Sequence, residues 1–276
     1  NQHGWEKSHG DWQINQEQFP NGLKSVVKAI RKNKMIPGIW FEIETVGSES
    51  VASSFFDHLL AKDGFPLTVG SRRFWNMRDP WVKLYLQEKV IDFLKEHDIG
   101  YLKIDYNENF GIGFDGAASF GEESRQQLEA SQQFIREIQK QLPGLVIENC
   151  SSGGHRLEYS MMQLTDLSSF SDAHEAQCIP IIAANLHHLM LPCQSLIWAV
   201  IRKEDSTQRL YYSMINTFLG RMCLSGDINE LSETQWAVIE ECRAFYEECK
   251  LLIKKGQTKI LRDEILSYRQ PNGCQV

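Results

Sequence analysis

The sequence predicts an α/β fold built on parallel strands, and three observations carry that prediction. Amphipathic helical stretches alternate with short apolar, β-prone runs along the 276-residue chain. The runs lie far enough apart for a helix to cross over between them, which brings successive strands back parallel and right-handed. No linker, low-complexity stretch or obvious repeat interrupts the series, so one α/β domain is the economical reading.

The elements follow in order. Between Gly22 and Lys34, apolar residues at Leu23, Val26, Val27 and Ile30 keep the helical period, and Pro37-Gly38 breaks it. Residues 39–44, Ile-Trp-Phe-Glu-Ile-Glu, read as the first strand. A second helix runs from Pro80 to His97, with proline in the first turn, where its missing N–H costs nothing. Asp98-Ile-Gly100 leads into a strand at Tyr101–Asp105. Ser119-x-x-Glu122 has the form of a capping box and opens a helix over 122–142, which Pro143-Gly144 ends. Strands are then expected at 145–150, weakly at 167–171, at 195–200 and at 221–224. Helices fall near 208–219 and at 232–254. From Gly256 the pattern changes to a β-prone tail, so residues 1–255 read as one domain and 256–276 as the start of a further β element.

Bulk properties exclude several partners. A net charge of −7 disfavours a nucleic-acid surface or an anionic membrane. No run of about 18 apolar residues is present to span a bilayer. Asn1-Gln-His-Gly-Trp5 has neither the basic nor the apolar region of a signal peptide. Nor is there an initiating methionine, so the chain reads as an excerpt or a processed product. Seven cysteines, an odd number without CxxC spacing, suit reduced thiols in the cytoplasm better than a disulfide framework or a zinc site. No metal and no organic cofactor is expected.

Chemistry concentrates at the strand ends. In Tyr101-Leu-Lys-Ile-Asp-Tyr-Asn107, alternation turns Lys103, Asp105 and Asn107 to one face. Burying a carboxylate and an ammonium there is costly unless they are paired or put to use. A structural ion pair is the plain alternative. The other ends are similar: Trp40, Glu42 and Glu44 on the first strand, Glu148 and Cys150 before Ser151-Ser-Gly-Gly-His-Arg156, and Asp172 with His174 and Glu175 after the weak strand. Glu42 and Glu44 read better as buried ion-pair partners than as ligands. Carboxylates accompanied by Trp40, Trp75, Arg72, Arg73 and Arg156 make the composition of a sugar site. Aromatic faces stack on pyranose rings, and two carboxyls run glycoside chemistry. In a parallel barrel such groups sit at the carboxyl ends of the strands.

These blocks resemble glycoside hydrolase family 36, the α-galactosidases (melibiases) and related α-N-acetylgalactosaminidases. Gly38-Ile-Trp-Phe-Glu-Ile-Glu44, Tyr101–Asn107, Glu148-Asn-Cys-Ser-Ser-Gly-Gly154 and Ser171-Asp172 occur in the family's order, over roughly residues 1 to 255. The resemblance implies a (β/α)8 TIM-type barrel. Six strands are counted here, so the barrel is expected to be incomplete, its first two strands missing, and the chain to be a fragment with little activity alone. It implies Asp105 as nucleophile and Asp172 as acid/base of a retaining exo-α-glycosidase acting on terminal α-D-galactosides of the raffinose or melibiose type. Retention needs the two carboxyls only about 5–5.5 Å apart. Lys103 then resembles the ligand of a sugar hydroxyl and Trp40 the stacking aromatic, with Asn107 completing the Lys-x-Asp-x-Asn block. Cys150 and the backbone at Gly153 resemble the wall around C2 and C6, and a substrate arginine falls at Arg72 or Arg73. The implied partner is a small oligosaccharide, with a homo-oligomer admitted through regions outside this chain.

Three departures leave the sugar open. Gln2-His3-Gly4-Trp5 stands where the family has Asp-Asp-Gly-Trp, so His3 and Gln2 replace two hydroxyl-clamping carboxylates. Ser169 replaces a tryptophan before the acid/base, and His174-Glu175 replaces Thr-Asp after it. α-N-acetylgalactosaminidase activity and a non-catalytic sugar-binding barrel are the alternatives.

Overall fold

The protein is described from a computed structural model, which covers residues 4–111, 113–116, 118–170, 172–262, 265–270 and 273–275. It forms two compact units, Asn1–Ser151 and Ser152–Val276.

The first unit is built around three parallel strands. β1 (Gly38–Phe41) is followed by four short strands, β2 (Thr45–Gly47), β3 (Ala61–Lys62), β4 (Phe65–Pro66) and β5 (Thr68–Val69), and then by β6 (Arg72–Phe74). β7 (Tyr101–Ile104) and β8 (Val146–Asn149) complete the set. β7 pairs in parallel with β1 on one side and β8 on the other. The register aligns Trp40, Lys103 and Glu148 across the three strands, so one row of side chains lies on one face. Leu102 and Ile147, aligned one position away, are fully buried on the opposite face.

β1 ends at Phe41, three residues before the expected limit, because the chain turns at Glu42–Glu44 into an antiparallel excursion. There β2 and β5 flank β6, and Ala61–Lys62 pairs with Phe65–Pro66 as a hairpin. Leu60, Phe74, Tyr106 and Phe114 close over it as a small core. Gly47 belongs there for steric reasons: a Cβ would stand 2.1 Å from the backbone carbon of Lys7. That close approach lets the Gly47 N–H donate to the His9 carbonyl at 3.0 Å and docks the segment that carries His9.

The helices form where the pattern predicts them, with two differences of detail. Ser119 caps Phe120–Gln141 by accepting from the Glu122 N–H, but the Glu122 carboxylate turns to Arg125 and Gln126, so only half of the capping box forms. A full box occurs instead at Ser232 and Gln235, ahead of Glu233–Lys255. The helix from Pro80 to Glu96 is interrupted by a π-helical stretch at Gln87–Asp92.

In the second unit β9 (Leu167–Ser169) and β11 (Arg221–Gly226) flank β10 (Ser195–Ile201), all parallel. The helix Cys178–Leu186, unforeseen in the sequence, packs Ile179, Ala183 and Leu186 against Ile197 and Val200. Thr207–Asn216 and Glu233–Lys255 cover Ala199 and Ile201 with Leu210, Met214, Val238 and Ile239. β12 (Gln257–Arg262), β13 (Ile265–Gln270) and β14 (Gly273–Gln275) form a three-stranded antiparallel sheet. Among the described residues no helix is long and apolar enough to cross a membrane. Cys150, Cys178, Cys193, Cys223, Cys242 and Cys249 are free thiols.

Candidate active site

Asp105 follows directly on β7, and both of its carboxylate oxygens are held. The Trp40 indole Nε1–H donates to Oδ2 at 3.0 Å, and the Tyr106 N–H donates to Oδ1 at 2.8 Å. Its own N–H extends the strand pairing by donating to the Phe41 carbonyl at 2.8 Å. Only 7% of the residue is exposed. Trp40 is steadied in turn by an edge-on contact with Trp5 at 5.9 Å and by the His9 ring at 5.5 Å.

Lys103 lies in the row below. Its Nζ is 3.2 Å from Glu148 Oε1, and the Tyr101 hydroxyl donates to Glu148 Oε2 at 2.5 Å. Burial disfavours the ammonium, but Glu148, then Cys150 and Asp105, more than offset it and hold the Lys103 pKa above the ordinary lysine value. Glu148 is therefore the lysine's leading counter-charge. Cys150 is buried just past the end of β8, where its N–H donates to the Ile104 carbonyl at 2.9 Å.

Beyond β1 lies a buried polar cluster. Glu42 is fully buried, with Oε1 accepting from the Asn107 N–H at 2.6 Å. Its Oε2 lies 3.1 Å from His9 Nδ1 and 3.4 Å from Arg72 Nε. Neither contact is a hydrogen bond: His9 Nδ1 bonds the Thr45 hydroxyl at 3.0 Å instead, and Glu42 Oε2, Arg72 Nε and Nη2, and His9 Nε2 have no hydrogen-bond partner among the described residues. Burial raises the Glu42 pKa despite the opposing pull of the Asn107 N–H and Arg72. The Arg72 guanidinium also lies over the Trp5 ring at 5.2 Å. Arg73, its neighbour on β6, alternates to the other face, where it donates to the Ser53 carbonyl and covers Phe56. Arg72 therefore joins the cluster and Arg73 does not. Glu44 accepts from the Ser131 hydroxyl at 2.8 Å, away from that cluster.

His9, which sequence reasoning did not single out, is fully buried and touches both Trp40 and Glu42. Burial and then Arg72, against a smaller opposing effect of Asp105, lower its pKa to about 4, so it is neutral at pH 7. The unfolded chain takes up a proton near pH 6.5 that the native state refuses, so stability present above that pH is lost as the pH falls toward 4. Alone this amounts to about 3 kcal/mol. Glu42 works the other way, because its raised pKa lets the folded state bind a proton first. Thermal unfolding between pH 7 and 4.5 is expected to show a falling Tm, with a shallower slope in His9→Gln.

In the second unit the glycines after Ser152 form a corner. φ is positive at Ser151, Ser152, Gly153 and Gly154 in succession. A Cβ at Gly153 would meet Cγ and Oδ2 of Asp172 at 3.4 Å, so the bare glycine backbone faces that carboxylate. Asp172 is exposed, three residues past the end of β9. His174 stacks on Trp198 of β10 at 6.0 Å. The residues His3 and Gln2 lie outside the described part of the chain.

A cavity of about 600 Å³ lies against β1 and is lined by Trp5, Trp12, Phe19, Trp40, Phe41 and Phe93 among others. Among the described residues no carboxylate lines it, and Trp40, which donates to Asp105, is part of its wall. Among the described residues no group of three or more His, Cys, Asp or Glu is placed to hold a metal ion.

The melibiase family model matches residues 2–256. The chain belongs to the melibiase family. Among curated melibiase relatives, the alpha-galactosidase of Escherichia coli is 27% identical over 170 residues, 60% of this chain and 23% of that protein. Alpha-galactosidase AgaA of Geobacillus stearothermophilus is 24% identical over 268 residues, 91% of this chain and 35% of that protein. The chain thus spans well under half the length of these relatives. Among solved structures, a variant of the same AgaA in complex with raffinose superposes with a TM-score of 0.83 at 20% identity, over 96% of this chain and 39% of that one. The galactosidase domain of AgaSK gives 0.82 at 18% identity, over 97% and 40%. These likenesses show the fold. It is the parallel α/β arrangement of GH36 alpha-galactosidase catalytic domains, consistent with an incomplete α/β barrel.

Proposed function

We propose that the chain carries the catalytic carboxylates of a retaining exo-α-galactosidase, in a (β/α)8 barrel of which six strands lie within this sequence. Asp105 is the nucleophile. The observation that carries this reading is its setting: a carboxylate at a parallel strand end, both oxygens already held, in a chain of the melibiase family. Attack on an anomeric carbon needs one fixed, ionised oxygen, and the bonds from Trp40 and Tyr106 favour that state by donating to it.

Asp172 is the acid/base. It donates a proton to the departing glycosidic oxygen while Asp105 forms the bond to the anomeric carbon, then takes a proton from the water that cleaves that bond. It is exposed and lies beside the backbone of Gly153. Trp40, Lys103, Asn107, Cys150, Gly153 and Arg72 surround the sugar in this reading, and His3 replaces a clamping carboxylate. Raffinose in the complex of a GH36 relative supports a terminal α-galactoside of an oligosaccharide as substrate.

The test, run on the whole protein that carries this sequence, is a mechanism-based galactosyl inhibitor followed by peptide mapping. One galactosyl group is expected on Asp105. Labelling elsewhere, or retention of full activity without labelling, overturns the assignment.

A further inference from the structure

We propose that Glu42 is a positioning residue for the nucleophile, the third point of a clamp by which three successive residues, Trp40, Phe41 and Glu42, hold Asp105 and Asn107 just beyond β7. The inference rests on the reading of Asp105 given above.

Trp40 holds the Asp105 side chain through Oδ2 at 3.0 Å. Phe41 holds the Asp105 backbone, its carbonyl accepting the N–H at 2.8 Å. Glu42 holds the Asn107 backbone through Oε1 at 2.6 Å. β1 ends at Phe41 and β7 at Ile104, so Tyr106 and Asn107 lie beyond the strand pairing that the Asp105 N–H extends. Without the carboxylate, the Asn107 N–H would lose this acceptor. The Tyr106 N–H, which donates to Asp105 Oδ1, lies between the two tied residues. A shift at Asn107 therefore reaches the nucleophile through one peptide unit.

Glu42 is also an unlikely residue to bury for packing alone. It is wholly enclosed, and its second oxygen meets Arg72 and His9 only in loose geometry. The strongest bond it makes is the one to Asn107. Arg72 supplies the counter-charge that makes a carboxylate tolerable there, and His9 closes the remaining side. A positional error of about 1 Å at a nucleophile can cost about 100-fold in rate, so a bond far from the substrate can still govern the reaction.

The experiment compares Glu42→Gln with Glu42→Leu, using the rate of covalent labelling by the galactosyl inhibitor and the kcat and KM for an aryl α-galactoside. The amide oxygen of glutamine can still accept from Asn107, so E42Q is expected to label within about 3-fold of the wild-type rate. E42L is expected to fall about 10- to 100-fold in both labelling rate and kcat, with KM changed little. Counting labelled sites by mass spectrometry normalises for folded protein, so a merely structural role would leave the rate per site unchanged. That result would overturn the proposal. If E42L fails to fold, E42Q decides: retention of rate supports an acceptor role, and a loss above 10-fold in folded protein overturns it. A wild-type protein that takes no label sinks the nucleophile assignment itself, a different failure from equal labelling of all three forms.

Discussion

Asp105→Asn is expected to abolish turnover and covalent trapping together while leaving the fold in place. The substitution keeps the size of the side chain, and its carbonyl oxygen can still accept from the Tyr106 N–H. It removes the negative charge and the second acceptor, so the Trp40 indole faces an amide N–H₂ or loses its partner. An amide cannot form the glycosyl ester through which a retaining enzyme passes. The kcat on an aryl α-galactoside should fall by about 10⁴-fold or more, by analogy with the loss of other covalent nucleophiles. Peptide mapping should show no galactosyl group, and the Tm should move by only a few degrees. Residual activity within tenfold of wild type would show that Asp105 is not the nucleophile.

Asp172→Ala is expected to produce a different signature, because the acid/base acts twice. A poor leaving group needs the proton, so hydrolysis of a galactosyl oligosaccharide should fall by about 10²- to 10⁴-fold. A nitrophenolate leaves without help, so glycosylation by such a substrate should persist. The second step still lacks its base, and the galactosyl-enzyme should accumulate as a burst followed by slow turnover. Azide, a nucleophile that needs no deprotonation, should restore the second step and release a galactosyl azide. Equal losses on oligosaccharide and nitrophenyl substrates, with no burst, would remove Asp172 from the role. The exposure of this residue makes a folding defect a poor explanation for any loss.

The parallel strands were legible because each combines an apolar run with a polar residue at its end, and apolar period together with proline, capping and breaker signals located five helices. Strand ends were less legible. β1 stops at Phe41 because the Glu42–Glu44 turn feeds an antiparallel excursion, and Ala61-Lys62 to Phe65-Pro66 is too short to carry alternation. The helix Cys178–Leu186 was hidden by Pro180 and by a composition apolar all round, which removes the periodic signal. In the site, Asp105 could be read because a carboxylate after Tyr-Leu-Lys-Ile is conspicuous. The pairing of Lys103 with Glu148 could not, since cross-strand register is set by tertiary structure. His9 was missed for a related reason. Nothing in Lys-Ser-His-Gly-Asp marks its histidine as buried, and only the close approach of Gly47 to Lys7 brings it beneath Trp40. A histidine directly before a glycine and an aspartate was the faint signal available.

The corner at Ser151–Gly154 has a consequence for attempts to stabilise the protein. Left-handed backbone is unfavourable for an L-serine by about 1 kcal/mol, and two serines adopt it in succession. Glycine at either position would relieve that strain at the cost of greater freedom in the unfolded chain. What serine offers instead is a hydroxyl with a fixed direction, as in the bond from Ser151 Oγ to Asn149 Oδ1 at 2.9 Å. The corner thus keeps conformational tension in exchange for orientation, two residues ahead of the glycine that faces Asp172. A thermostabilisation campaign guided by melting temperature alone would favour easing this corner, and could trade away the alignment that the strain maintains.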